Sequence, residues 1–490
     1  MNNLKRISII NLVGLIILVT ANFQGIPSQH VSKTFDPKVI DALAAEKVKA
    51  GEFVGLSLAV MQDGRIVLSK GYGMRAQDSG LPVTEETIFA IGSITKQFTS
   101  ACILLLAEEG ELSVTDKVAK YFPNLTRAND ITLLDLMNHV SGYPDYYPLD
   151  FVDRRMLKMI AVDEVIHQYG TTKLDFEPGT RYSYSNTGYL ILGRVVEKVS
   201  EEPFGQFLSR RILKRIGMNH TLYEPDPKDT EFAQGYTTFA LSRPEAAMPE
   251  AKGWIAAAGG LYSTPSDLAK WDLELMDGKV LMPESYKLMT TARKLADGRF
   301  SNYGCGLSVG ARNGEKLLAH NGAVSGFYAT NVMMPSTRSA VIILSSLEAS
   351  NAVASISRQI VLSLLPKQPA AGQTELAKKE PPSKPDVPKI AGPSTLDTAK
   401  AFFHRLQTAT VDRSELGEEF SWFLTDAKIQ GAAARLKPYG DPTGAKIESI
   451  GERGGMEVST IRLAFKSGVL KTLMYRTPDG KIQQFFISKG

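Results

Sequence analysis

Two apolar-rich runs near the N-terminal end, 54–61 and 65–70, are separated by Asp63-Gly64. Short apolar stretches flanking an Asp-Gly dipeptide predict a β-hairpin. Ahead of them, Asp36-Pro37 opens an amphipathic stretch that ends near Gly51, with Asp as the N-cap and Pro at the first helical position. Helical spacing recurs around 93–109, 132–140, 189–200, 204–216 and 265–277, and strand-like runs return around 305–310, 316–319, 328–334 and 339–346. Helices in the middle of a segment with strands at both its ends predict an α/β chain of the α+β type, an antiparallel sheet flanked by helices.

The periodicity stops after residue 365. From Pro366 to Pro393 the chain carries seven prolines among Lys, Glu, Ala and Gln, the composition of a semi-extended linker. We place the main domain at 31–365, the Pro-rich linker at 366–393 and a second unit at 394–490. In that last unit Leu396, Ala399, Phe402, Phe403 and Leu406 form one helical face, and a second helical stretch lies near 426–436. Four short strand-like runs follow over 445–487, the last turned by Pro478-Asp479-Gly480, which predicts a small α+β accessory domain. It holds no convincing catalytic constellation, so its expected role is packing or substrate presentation.

The first residues carry a different signal. Lys5 and Arg6 precede an apolar run from Ile7 to Val19 that ends in Thr20 and Ala21. Charged, apolar and small residues in that order read as a secretory signal over 1–21. The run contains Asn11 and is shorter than the ~20 residues of a membrane-spanning helix. The expectation is export to the periplasm or beyond, with no permanent membrane span after cleavage.

Composition narrows the choice of partners. The 56 basic and 52 acidic residues nearly balance, for a formal net charge of +4, which gives no reason to expect a nucleic-acid partner. Cys102 and Cys305 are the two cysteines. They make neither a disulfide framework nor a thiolate metal site, and their apolar or Gly-rich surroundings suit core filling. No metal and no organic cofactor is expected.

Three separated segments carry candidate chemistry. The first is Ser93-Ile94-Thr95-Lys96 at the start of a helical pattern. A spacing of three places hydroxyl and amine on one helix face. Serine needs a nearby base to attack an acyl carbon, and a lysine of lowered pKa can serve. The second is Tyr184-Ser185-Asn186. A phenol beside a lysine ammonium can have a depressed pKa and relay the proton, and Asn186 could hold Lys96 and the substrate carbonyl. The third is His320-Asn321-Gly322, after strand-like 316–319. A substrate lying along a sheet edge would meet it and find backbone N–H donors. Taken singly, each segment also reads as ordinary structure: a chance tetrapeptide, a polar turn, a satisfied histidine.

Their order, with two further stretches, Leu133-Leu134-Asp135-Leu136-Met137-Asn138-His139-Val140-Ser141-Gly142-Tyr143-Pro144 and Ala257-Ala258-Gly259-Gly260-Leu261-Tyr262-Ser263-Thr264-Pro265-Ser266-Asp267-Leu268, resembles the β-lactamase-related superfamily of penicillin-recognising serine hydrolases. The likeness is to its branch of class C β-lactamases, D-amino-acid peptidases and family VIII esterases, over roughly 36–365. It implies a β-lactamase/transpeptidase-like fold with an all-helical subdomain. It further implies Ser93 as the acylated nucleophile, Lys96 as general base or proton relay, and Tyr184 as catalytic phenol supported by Asn186. Backbone N–H groups of Ser93 and Ala323 would form the oxyanion hole, with His320, Asn186, Gly322 and Ala323 facing substrate. One departure stands out. The Lys-Thr-Gly of many β-lactamases is His-Asn-Gly here, so the cation that would engage a penicillin carboxylate is missing or pH-dependent.

Other residues weigh less. His139 and Ser141 read as a helix end closed by Gly142 and Pro144. Tyr143, Tyr146 and Tyr147 could line a cleft, and Gly259-Gly260 allows close backbone packing. The expected function is hydrolysis of an ester, amide or lactam through an acyl-enzyme on Ser93, most readily as an esterase or D-amino-acid peptidase. The expected partner is a small-molecule or peptide acyl substrate, with cell-wall peptides one source. The rival expectation is an inactive module that binds cell-wall peptides or senses them.

Overall fold

The computed structural model describes residues 35–226, 231–348, 351–366 and 387–490. The expected signal at 1–21 and the linker residues 367–386 lie outside them. The largest element is a six-stranded antiparallel sheet in the order Arg65–Gly73, Gly55–Gln62, Ser339–Ser345, Phe327–Met334, Glu315–Val324, Ser308–Arg312. Asp63-Gly64 makes the first hairpin, with Gln62 paired to Arg65. Sheet strands therefore come from both ends of the segment, as the pattern predicts.

The central strands of the sheet are buried on both faces. Ala59, Met61, Ile342 and Leu344 face the main helical core. Leu58, Val60, Val341 and Ile343 face the other way, onto helices Pro37–Lys49 and Asn351–Leu364. Double burial explains why Ser339–Ser345 reads as one unbroken apolar run, the pattern of a strand with no solvent side. The helix Thr95–Glu108 has a similar history. Every residue from Thr95 to Leu106 is buried, as for a helix enclosed by others on all sides. Around it pack Asn186–Ser200, Ala256–Gly259 and Phe204–Leu208, which with Leu133–Met137 and Val162–Gly170 form the helical part.

Several boundaries differ from the periodicity. The run expected at 305–310 becomes a strand only from Ser308. Gly306, at φ +75°, passes so close to the helix Thr95–Glu108 that a Cβ there would lie 2.6 Å from Lys96 O, and that close pass displaces regular pairing. The run at 316–319 extends to Glu315–Val324, because Asn321 and Gly322 pair with Thr330 and Ala329. The helix expected over 132–140 is a capping-box helix, Leu133–Met137, begun by Thr132 and Asp135. It ends early because His139 is left-handed, with φ +58°. The α-helix expected over 204–216 stops at Leu208 and continues as a π turn, Ser209–Leu213.

The C-terminal residues fold as helices Thr395–Thr408, Glu418–Phe423 and Asp426–Leu436 against a four-stranded antiparallel meander, Gly444–Arg453, Met456–Phe465, Gly468–Arg476 and Ile482–Lys489. Phe402, Phe403, Phe420 and Phe485 fill the core between them. Phe151 and Phe239, from far earlier in the chain, are buried in this same core. The C-terminal unit is thus seated on the loop that follows the helix Leu133–Met137 and on the segment around Phe239.

Candidate active site

Ser93 lies in a single 3₁₀ turn, Gly92–Ile94, that leads into the helix Thr95–Glu108. The turn places the serine hydroxyl at the helix start and Lys96 one turn on. Lys96 is fully buried. Its Nζ lies 2.7 Å from Asn186 Oδ1, 2.7 Å from the Ala258 carbonyl oxygen and 3.1 Å from Ser93 Oγ. The first two partners are oxygens that can only accept. A neutral amine has two N–H donors and one lone pair. The two donors serve Asn186 and Ala258, and the lone pair remains for the Ser93 hydroxyl. Electrostatics favours that same state: burial drives the Lys96 pKa well down, Asp145 opposes the shift, and Arg453 reinforces it.

Asn186 opens the helix Asn186–Ser200. Its backbone N–H and its Nδ2 both donate to Asp145 Oδ1, at 3.0 and 2.9 Å. These contacts fix the amide so that its oxygen faces Lys96. The Tyr184 ring lies 4.8 Å from Lys96 Nζ, and the Tyr189 ring 5.3 Å.

One expectation for Tyr184 is reversed. Its phenol pKa is raised, not depressed, chiefly by burial. A neutral amine supplies no positive charge to stabilise a phenolate. Tyr184 therefore keeps its proton. Its hydroxyl stands beside Ser93 and closes no well-formed hydrogen bond in the resting site.

The strand Glu315–Val324 forms the opposite wall. Its outer neighbour pairs with it only as far as Ala319, so from His320 onward that edge faces the cleft. Ser325-Gly326 joins this strand to the next, with Val324 opposite Phe327 and Ala323 opposite Tyr328. In a two-residue hairpin the closing pair exchanges hydrogen bonds and the next pair does not, so the Ala323 N–H points to the open edge. Ser93 N is close by. A Cβ on Gly92, at φ +49°, would lie 2.9 Å from Ala323 N, and one on Gly322 would lie 3.2 Å from Ser93 N and 1.9 Å from Ile91 O. Only glycine lets the strand approach the nucleophile turn this closely, and the approach brings two backbone donors to one place.

His320 is buried, with Nε2 at 2.8 Å from Tyr303 Oη and Nδ1 at 2.6 Å from the Asn321 carbonyl oxygen. A carbonyl only accepts, so Nδ1 carries the proton and Nε2 accepts from the phenol. Burial is the chief cause that lowers the His320 pKa to about 3. Of the two sequence alternatives, the cation is missing.

These walls enclose a cleft of about 380 Å³ that holds Ser93, Tyr184, Asn186, His320, Gly322 and Ala323. Tyr146 and Tyr147 line it as expected. Tyr143 does not: it is buried, and its hydroxyl donates to Thr126 O at 3.0 Å. His139 is also buried, 4.2 Å from the Tyr184 ring centroid, with Nδ1 accepting from Ser185 N–H at 3.1 Å. It holds up the Tyr184 segment and does not reach the nucleophile. Cys102 and Cys305 are buried free thiols. Among the described residues no group of three or more His, Cys, Asp or Glu is placed to hold a metal ion.

The sequence reading missed Asp145, the Ala258 carbonyl, Tyr303 and Arg453. A carbonyl contact leaves no trace in side-chain identity. Arg453 lies within Arg453-Gly454-Gly455-Met456, which reads only as a hairpin turn.

A helix-borne Ser-x-x-Lys facing a tyrosine and the edge of an antiparallel sheet defines a serine hydrolase of the β-lactamase and penicillin-binding type. Residues 40–365 match the family model described as Beta-lactamase, and the chain belongs to that family. Among curated relatives, Protein flp of Staphylococcus aureus (strain NCTC 8325 / PS 47) is 28% identical over 324 residues, spanning 63% of this chain and 62% of that protein. The match thus covers less than two thirds of that relative. Two solved structures share the fold. The octameric penicillin-binding protein homologue from Pyrococcus abyssi has a TM-score of 0.61 at 23% identity, covering 93% of this chain and 96% of that one. The D-amino acid amidase from Ochrobactrum anthropi SV3 has a TM-score of 0.57 at 22% identity, covering 67% of this chain and 98% of that one.

Proposed function

We propose that the protein hydrolyses ester or amide bonds through an acyl-enzyme on Ser93, as an esterase or D-amino-acid peptidase. One observation carries this reading: the fully buried Lys96 Nζ lies 2.7 Å from Asn186 Oδ1, 2.7 Å from the Ala258 carbonyl oxygen and 3.1 Å from Ser93 Oγ, and burial favours its neutral form, whose lone pair then serves Ser93. A module that only bound peptides would have no use for a buried amine in that state.

In the reaction, Ser93 Oγ attacks the carbonyl carbon as its proton passes to Lys96. The oxyanion is received by the N–H groups of Ser93 and Ala323. The protonated Tyr184 gives its proton to the leaving group as the carbonyl–leaving-group bond breaks, and regains one from Lys96. Water then attacks the acyl carbon and gives its proton to the Tyr184–Lys96 relay, which returns a proton to Ser93 Oγ as the ester bond breaks and the acid leaves.

The neutral His320 favours ester and D-amino-acyl substrates over a penicillin, whose carboxylate would find no cation at that position. The structural neighbour from Ochrobactrum anthropi SV3 is described as a D-amino acid amidase, which accords with this choice. Export follows from the N-terminal residue pattern, with cell-wall peptides as one accessible substrate class.

Trapping with a fluorophosphonate, followed by peptide mass spectrometry, tests the nucleophile. The label is expected on Ser93, and labelling elsewhere overturns the reading. Turnover of nitrophenyl esters, D-alanyl peptides and a chromogenic cephalosporin then ranks the substrates, with the cephalosporin expected last.

A further inference from the structure

The C-terminal unit reaches the cleft. The turn Gly454-Gly455, with φ +56° and +76°, ends the strand Gly444–Arg453 and leaves Arg453 lining the same cavity as Ser93. Arg453 Nη1 donates to Asp150 Oδ1 at 3.0 Å and Nη2 donates to the Tyr147 carbonyl oxygen at 3.0 Å. Its Nε faces Asp145 Oδ2 at 3.8 Å. Both of those atoms are buried and neither has a hydrogen-bond partner.

We propose that Arg453 is a positioning residue of the catalytic site, one that holds Asp145, and through it Asn186 and Lys96, in working order, so that the C-terminal unit completes the hydrolase. The proposal rests on Ser93 and Lys96 acting as described above.

The chain of contacts is continuous. Asp145 Oδ1 holds the backbone and side-chain N–H groups of Asn186, and Asn186 Oδ1 accepts from Lys96. The Asp145 side chain has no exposure to solvent. A buried carboxylate without an opposing charge is costly, and Arg453 is the cation set against its free oxygen. The anchor is firm, because Asp150 is held three further times by the C-terminal sheet: its N–H donates to Gln484 Oε1 at 2.8 Å, and its Oδ2 accepts from Gln484 Nε2 at 2.7 Å and Tyr475 Oη at 2.8 Å.

The electrostatic consequence has a sign. Asp145 favours the ammonium form of Lys96, and Arg453 opposes it. The other titratable groups facing Lys96 are Tyr184 and Tyr189, which keep their protons, and His139 and His320, which burial holds neutral. Facing Arg453 are Asp145, Asp150, Tyr182, Tyr184 and Tyr475. Without Arg453 the Asp145 charge acts on Lys96 unopposed. The amine then takes up a proton at higher pH and loses the lone pair that Ser93 needs.

The test is the pH dependence of fluorophosphonate labelling at Ser93 in the full-length protein. In Arg453→Met the acid limb is expected to move up by about one pH unit, with labelling on that limb slowed roughly tenfold. Arg453→Lys, which keeps the charge, restores most of the rate. Asp145→Asn moves the limb the other way and cancels much of the shift when combined with Arg453→Met. Arg435→Met removes only bonds from the C-terminal unit to the Phe239 and Ala240 carbonyls, and keeps the parent limb. A folded Arg453→Met protein with the parent limb overturns the inference. If that variant does not fold, an unchanged limb in Asp145→Asn overturns it instead. Label on the parent at a residue other than Ser93 removes the underlying reading and this inference with it.

Discussion

Lys96 Nζ lies 2.7 Å from the carbonyl oxygen of Ala258, 162 residues away in sequence. That oxygen belongs to the one-turn helix Ala256–Gly259, whose C-terminal carbonyls have no partner within the helix and suit an amine. The contact commits one N–H of the amine and so helps decide which way its lone pair points. Replacing Lys96 by Met keeps the volume and removes the base. The kcat/KM for a nitrophenyl ester is expected to fall by about 10²–10⁴. A variant within threefold of the parent would mean that another group activates Ser93.

His320 gives a pH prediction with a definite sign. Its pKa falls from 6.5 to about 3 on folding. The unfolded chain therefore binds the extra proton first, and the stability tied to neutral His320 is complete above pH 6.5 and drains away as pH falls toward 3. Melting temperatures across pH 4–7 should show a shallower slope in His320→Gln than in the parent. The acid limb of activity, set by Lys96, should stay where it is. A limb that moves with His320→Gln would transfer the titration to the histidine.

Tyr184→Phe removes a buried hydroxyl with no well-formed hydrogen bond. Stability should hold or rise slightly, since no partner is left unsatisfied. Catalysis should divide by leaving group. Amide turnover, which needs a proton on the departing nitrogen, should drop by roughly 10² or more. Nitrophenolate departs without help, so hydrolysis of its esters should drop far less. Equal losses on both substrates would contradict a proton-donor role.

Gly322→Ala tests the close approach of strand and nucleophile turn. The added Cβ would stand 1.9 Å from Ile91 O, which real contacts do not tolerate, so the strand must move off. The Ser93 and Ala323 donors then separate, and kcat is expected to fall by about 10²–10³. Circular dichroism should still report a folded chain. Full activity in a folded variant would place the oxyanion elsewhere.

Much of the fold could be read because burial imposes period. The first hairpin, the helix after Ser93 and the returning strands all follow from apolar spacing and turn residues. Departures arise where distant parts of the chain meet. Gly306 delays a strand because the catalytic helix passes beside it, and Asn321-Gly322 continues a strand because Thr330 and Ala329 lie opposite. Neither cause is local, so neither leaves a periodic signal.

The sequence by itself determined the candidate chemistry: a serine and a lysine three residues apart on a helix, a tyrosine, and a strand segment without a lysine. Residue type and helical geometry suffice for that, since they fix which groups exist and which share a turn. The tertiary structure decided their protonation and their supports. Burial makes Lys96 a base, keeps Tyr184 an acid and holds His320 neutral, because a charge is penalised only once the folded chain has excluded water from it. Folding also brought Arg453 to the Asp145 carboxylate, 308 residues away by number (453 − 145) and 3.8 Å away in space. Long-range pairing of that kind is set by how two units pack together, not by any pattern along either one.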